Sequence, residues 1–224
     1  MKSIAIFGAG GLGREVLQII HDINKENPKN PIWNPVGFLV DTQYVGEDVH
    51  GLPTLSSFDW LKENTETEIV IAIGSSAHRA RIAEKIKRTT SNPFAKLVHP
   101  RAWIGKNVSI GCGSIICAGA LITTDVIIGE NVHINIGCTI GHDAIFKNYA
   151  TLNPCVNISG NVHIEEGSEI GTGSILIPHT KIGSWSIIGA GSVVLKSIPE
   201  NSTAVGSPAK VIKTRETNWQ ESLT

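Results

Sequence analysis

From Ile104 to Val194 an aliphatic residue or Phe recurs at every sixth position without a skipped step: Ile104, Ile110, Ile116, Ile122, Ile128, Ile134, Ile140, Phe146, Leu152, Ile158, Ile164, Ile170, Leu176, Ile182, Ile188 and Val194. These are sixteen hexads, and four residues after most anchors stands something small or β-branched, as at Val108, Ser114, Ala120, Val126, Val132, Cys138 and Ala144. A helix repeats every 3.6 residues and a flat strand every 2, so neither accommodates six. A chain that turns a corner every six residues brings the anchors inside a stacked coil whose turns pair through backbone hydrogen bonds. Glycines at 105, 111, 129, 141, 171, 183 and 189, beside the anchors, suit corners that need a permissive backbone or a close approach. The repeat predicts a parallel β-helix of hexapeptide repeats, about five turns long at three hexads per turn.

Ahead of the repeat, strands alternate with helices. Residues 2–7 (KSIAIF) read as a buried strand, followed by Gly8-Ala9-Gly10-Gly11-Leu12-Gly13 and a helix to about His21. Residues 36–40 read as a second strand ending at Asp41, residues 68–73 as another ending at Gly74, and residues 77–88 as a basic amphipathic helix. This spacing predicts a small Rossmann-like α/β domain over residues 1–98 and the coil with its tail over 99–224, with 24–35 as a surface loop and 97–100 as the last strand before the coil. A glycine loop alone says little. Here Gly10, Gly11, Asp41 and Gly74 all fall at carboxyl ends of strands, the edge where open α/β sheets take ligands, and helix N–H groups there face an anion. Asp41 follows Gly13 by twenty-eight residues, against roughly twenty in a dinucleotide fold. A nucleotide or nucleotide sugar is therefore expected in preference to NAD.

Bulk properties exclude other classes. With 19 basic against 20 acidic residues, no charge excess advertises nucleic acid or an anionic membrane. The start, MKSIAIFGAGGLG, lacks the apolar stretch and cleavage site of a secretory leader, and no segment reaches transmembrane length. The four cysteines, at 112, 117, 138 and 155, lie inside the repeat and read as reduced packing residues. A cytoplasmic protein without membrane insertion is expected.

The coil geometry sorts the histidines. With three hexads to a turn, residues eighteen apart stack about 4.8 Å from one another, which puts His142 between Thr124 and Gly160. In Ile140-Gly141-His142-Asp143 the imidazole stands at an outward corner, where a neighbouring carboxylate can hold one tautomer and make it a better base. Gly160 above it offers a backbone N–H with no side chain in the way. His133 and His163, each one residue after an inward Val, are expected on outward faces, solvated or at a subunit interface, and His179 stands at a corner without an acidic neighbour. Outward apolar residues such as Ile115, Leu121, Ile127 and Ile145 would be partly wet in a monomer, so a homotrimer closed about a threefold axis is expected.

Five motifs together resemble one family: GAGGLGRE at the start, FLVD and IAIG in the first domain, IGHD in the coil, and Val205-Gly206-Ser207-Pro208-Ala209-Lys210 after it. The chain resembles the sugar acyltransferases typified by the bacillosamine-pathway N-acetyltransferase PglD and the sialic acid O-acetyltransferase NeuD, essentially over its whole length. The resemblance implies a left-handed coil, which no periodicity could show because it runs against the usual right-handed crossover. It implies a first domain that receives the nucleotide sugar, and acetyl-CoA in a cleft between adjacent subunits of a trimer. By the same resemblance His142 is the general base and Asp143 the acid that orients it, in place of a more common Glu. Gly160 supplies an oxyanion N–H, Asn135 lies near the acceptor, and Thr151, Thr172 and Ala190, with Lys210 of the tail, contact acetyl-CoA. Gly10, Gly11, Leu12, Asp41 and Gly74 match nucleotide-sugar contacts. Leu12 stands where the family often carries His, and Thr151 where a histidine contacting acetyl-CoA would be expected.

The implied activity is acetyl-CoA-dependent N-acetylation of a nucleotide-linked amino sugar, such as a 4-amino-4,6-dideoxy sugar, by direct transfer and without a metal. O-acetylation of sialic acid or another sugar is the alternative within the class. A γ-class carbonic anhydrase would need three zinc-ligating histidines gathered at an interface, and the coil has only four, at 133, 142, 163 and 179, with no closely spaced pair. A non-catalytic scaffold is the remaining reading, since solenoids are often binding surfaces.

Overall fold

A computed structural model describes residues 1–222. The chain opens with β1 (Lys2–Phe7), α1 (Gly11–Glu26), β2 (Trp33–Val40), β3 (Asp48–Val49), β4 (Leu52–Ser56), α2 (Ser57–Glu63), β5 (Glu68–Ile71) and α3 (Ser76–Thr89). The sheet order is β3-β4-β2-β1-β5, parallel except for the β3–β4 hairpin. β1 sits in the middle, and its continuous apolar run is what a strand covered on both faces requires. Ile4 and Ile6 pack against Val16, Ile20 and Ile23 of α1, while Ala5 and Phe7 pack on the other side with Ala83 and Ile86 of α3. Gly13 lies so close to the Gly8 carbonyl that no side chain fits between them.

The expected α/β domain is present, with differences in extent. α1 runs past His21 to Glu26, and β2 begins at Trp33, so much of the expected surface loop is structured. Asn24 accounts for this: its amide donates to the Trp33 carbonyl at 2.7 Å and its oxygen accepts from the Trp33 N–H at 2.9 Å, tying the helix end to the strand start. β3, β4 and α2 were not expected. β4 has Pro53 within it, a residue that weakens a strand pattern and is tolerated near a sheet edge.

The repeat forms three stacked faces with every pair in register at eighteen residues, as in Leu121↔Thr139 and His133↔Thr151. The first face stacks Leu97–Val98, Ile115–Ile116, His133–Ile134, Thr151–Leu152, Glu169–Ile170 and Ile187–Ile188. The second carries Trp103–Ile104 to Val193–Val194, and the third Ser109–Ile110 to Lys181–Ile182. Anchors and their small partners fill the interior, from Ile116 and Ala120 to Ile188 and Val194. Buried serines are satisfied one coil on: Ser114 donates to the Gly129 carbonyl at 2.8 Å and Ser168 to the Gly183 carbonyl at 2.7 Å. Leu97–Val98 pairs with Ile115–Ile116, so the strand expected to close the first domain is the first rung of the coil.

Permissive backbone and close approach occupy different corner positions. The third residue after an anchor takes positive φ, at 52–59° for Asn107, Asp125, Asn131, Asp143, Cys155 and Asn161. Asn and Asp tolerate that region better than most residues. The glycines beside the anchors serve close approach: a Cβ on Gly141 would lie 2.6 Å from the Gly160 nitrogen.

The first domain rests on the first face. His133, expected on an outward face, is buried there, its Nε2–H donating to the Ile71 carbonyl at 3.0 Å. Ile115, expected among the wet apolar residues, is also buried, packed with Leu17 and Leu97. Tyr149 donates to Glu84 of α3 at 2.8 Å. All four cysteines are free, and burial pushes the Cys138 thiol up to about 11, as suits an inert packing residue. After the coil, Ser202–Val205 pairs with the first face and with a last antiparallel strand, Lys210–Thr214. Among the described residues no helix is long and apolar enough to cross a membrane.

Candidate active site

Three faces make three corners. The second corner, between the second and third faces, lies opposite the face that carries the first domain. His142 stands there. Its Nδ1 is 2.7 Å from Asp143 Oδ2, and both side chains are more than half exposed. An ionised carboxylate only accepts, so in a neutral ring facing it Nδ1 carries the proton and Nε2 is left as an acceptor. Asp143 reaches the ring because its own backbone turns at φ 58°, while the Asp143 N–H donates to the Thr124 carbonyl below. The coil above accepts the ring: Asn161 N–H donates to the His142 carbonyl at 2.8 Å, and a Cβ built on Gly160 would lie 2.7 Å from both Nε2 and Cε1. Only glycine leaves room for the imidazole. The Gly160 N–H itself donates to no protein group among the described residues. Nε2 thus lies against a glycine whose N–H is left unused by the protein among the described residues.

The first corner collects a different set. Thr172 and Ala190 are both exposed there on successive coils, tied by the Gly191 N–H donating to the Thr172 carbonyl at 2.8 Å. Asn135 begins the same corner lower down, its Oδ1 accepting from the Ile136 N–H, and is not brought beside His142 within one chain. Lys210 is exposed at the start of the last strand. Thr151 requires correction. It is buried on the first face, where its hydroxyl accepts from Arg79 at 2.6 Å, out of reach of a ligand on the coil surface. His179 sits one coil beyond Gly160 at φ 62°, beside His163 in a small pocket.

A cavity of about 690 Å³ opens at the carboxyl edge of the sheet between α2 and α3. Gly8, Gly10 and Asp41 line it, as the strand ends led one to expect. Gly11 is exposed beside it, Leu12 packs instead against the α1 side of the core, and Gly74 offers its carbonyl to Arg79 at 3.0 Å. Tyr44, Phe58, His78, Arg81, Ile82 and Lys85 also line the cavity and were missed. Residues 78, 81, 82 and 85 share one helical face, so the signal was present in α3 once that helix was placed beside the strand ends. Among the described residues no three of His, Cys, Asp and Glu converge as metal ligands.

Residues 3–86 match the PglD N-terminal domain family, and residues 161–196 the bacterial transferase hexapeptide family. The chain is 32% identical to the GDP-perosamine N-acetyltransferase of Escherichia coli O157:H7, over 97% of this chain and 100% of that relative. The chain belongs to the PglD-type family of acetyl-CoA-dependent sugar acetyltransferases. PerB from Caulobacter crescentus, solved in complex with CoA and GDP-perosamine, matches with a TM-score of 0.84 at 26% identity, over 95% of this chain and 98% of that one. The acetyltransferase domain of PglB from Neisseria gonorrhoeae FA1090, in complex with acetyl coenzyme A, matches with a TM-score of 0.84 at 28% identity, over 94% and 99%. The coil is accordingly the left-handed β-helix of PglD-type enzymes, joined to a Rossmann-like first domain.

Proposed function

We propose that the protein transfers the acetyl group of acetyl-CoA to the amino group of a nucleotide-linked amino sugar, with His142 as general base. The pairing of His142 with Gly160 supports this reading, because the ring lies against a glycine whose N–H the protein leaves unused among the described residues. The sugar amine attacks the thioester carbonyl carbon, and its proton passes to Nε2 as the C–N bond forms. The Gly160 N–H meets the developing oxyanion. Collapse breaks the C–S bond, and the proton moves from Nε2 to the departing thiolate. Asp143 holds Nδ1–H throughout. A positioned base contributes roughly 10²- to 10⁴-fold and one oxyanion donor on the order of 10²- to 10³-fold.

The nucleotide belongs in the cavity lined by Gly10 and Asp41, and acetyl-CoA along the first-corner ridge of Thr172 and Ala190. The ridge and His142 sit on different edges of one coil, so a complete site requires two chains. Exposed Trp103, Leu121 and Ile175 on the second face and Ile127 on the third are the surfaces a closed homotrimer would cover. Four free thiols suit a reducing cytoplasm, where the product would feed polysaccharide assembly. Relatives named for N-acetylation of GDP-perosamine favour an amine acceptor over a hydroxyl.

The test is thiol release from acetyl-CoA with a panel of UDP-, dTDP- and GDP-linked amino sugars. One nucleotide class should release thiol in step with an N-acetylated product. Release only with sialic acid or another hydroxyl acceptor would overturn the amine assignment.

A further inference from the structure

Arg79 is fully buried between α3 and the coil, and it uses all five of its N–H donors. Nε donates to the Asn131 carbonyl at 2.9 Å, Nη1 to Ile73 and Gly74 carbonyls at 2.7 and 3.0 Å, and Nη2 to the Tyr149 carbonyl and Thr151 Oγ1 at 2.7 and 2.6 Å. Nη2 also reaches the Ala150 carbonyl at 3.4 Å, so four acceptors belong to the coil and two to the segment after β5, at the edge of the cavity. Among the described residues no carboxylate bonds the guanidinium, and burial lowers its pKa to about 10 against the opposing pull of the nearby Glu169 charge. A buried charge held by neutral oxygens carries a desolvation penalty that its hydrogen bonds must offset. What the fork secures is relative position. The gripped segment is also a wall of the cavity: Ile73 lines it, and a Cβ on Gly8 would lie 2.9 Å from Ile73 Cδ1. His133 holds the Ile71 carbonyl from the same coil in parallel.

We infer that Arg79 is a positioning residue for the nucleotide site, and that Thr151 of the coil acts through it on nucleotide binding. This rests on the proposed assignment of the cavity to a nucleoside diphosphate. The coil thereby sets the shape of the wall formed by Gly8 and Ile73. Arg79→Lys leaves three donors in place of five and loses the fork. Thr151→Val removes one acceptor, from a residue outside the cavity, and nearly preserves shape.

Calorimetric titration of the full-length protein with UDP, GDP, dTDP and CoA tests this. The parent should bind at least one nucleoside diphosphate, and both variants should bind it roughly 2- to 30-fold more weakly, the range for substitutions in a coupling network. CoA affinity should stay within about twofold of the parent. If Arg79→Lys does not fold, Thr151→Val decides alone. Unchanged diphosphate affinity in the folded variants, with or without a lower Tm, would reduce Arg79 to a structural residue. Weakened CoA binding by Thr151→Val with unchanged diphosphate binding would return Thr151 to the coenzyme. A parent that binds none of the three diphosphates would overturn the cavity assignment itself, and this inference with it.

Discussion

The ring of His142 occupies the volume that a side chain at Gly160 would fill, with Nε2 2.7 Å from the position of a Cβ there. Replacing Gly160 with Ala should therefore displace the imidazole rather than unfold the corner, since Gly160 is not among the positive-φ glycines. A misplacement of about 1 Å costs on the order of 10²-fold in turnover. Steady-state kinetics beside a melting curve would check this, with kcat falling and Tm nearly unchanged. Parental kcat would show that the ring is not working from this position.

His142→Ala should lower turnover by roughly two to four orders of magnitude while CoA still binds. The side chain is mostly solvent-facing, so no core cavity opens and the Tm should hold. Asp143→Asn should cost less, because the corner keeps its shape and only the orienting charge is lost. Retention of more than about a tenth of parental turnover by His142→Ala, where chemistry limits the rate, would move the base elsewhere, with His179 next in line.

If each site takes His142 from one chain and the Thr172–Ala190 ridge from its neighbour, two dead variants should complement. Co-expression of His142→Ala with Ala190→Trp should restore roughly a quarter of parental activity by random mixing around a closed ring. A site confined to one chain gives none. Sedimentation of the parent as a stable monomer at micromolar concentration would exclude the shared site outright.

Burial drives the His133 pKa well below 6.5, chiefly through loss of hydration and secondarily through the nearby Arg79 charge. The folded protein keeps this ring neutral, whereas the unfolded chain protonates it below about pH 6.5. Stability should thus be fully present above that pH and decline as pH falls towards the folded value, by up to about 1.4 kcal/mol per pH unit. Urea unfolding of the parent and His133→Gln between pH 7.5 and 5 (about two and a half units) separates this group from the carboxylates, and the variant should show the shallower slope. Parallel slopes would mean that the ring is protonated in the fold.

The hexad and its eighteen-residue stacking were legible because every rung repeats the same environment, and this register also brought His142, Asp143 and Gly160 together on paper. What the repeat could not reveal is which face another domain covers. Ile115, His133 and Thr151 occupy the same outward position as Leu121 and Ile127, yet the first three are buried and the last two are about half exposed. Arg79 was hidden for a related reason: inside a basic amphipathic helix a charged side chain reads as solvated, and only the assembled interface shows the six oxygens around it. The cavity residues of α3 escaped because helical spacing identifies a face without saying what lies opposite.

Asp143 turns its corner with the same left-handed backbone as Asn107, Asp125, Asn131 and Asn161 at equivalent positions. Such corners tolerate a short polar side chain well, and the Asp at this one reaches the neighbouring ring from that backbone. One coil below, Thr124 donates to Asp125 at 2.7 Å in the same arrangement, with a hydroxyl where His142 has its ring. The vertex one turn down thus already holds a hydroxyl–carboxylate pair, and what sets the His142 vertex apart is the glycine above it.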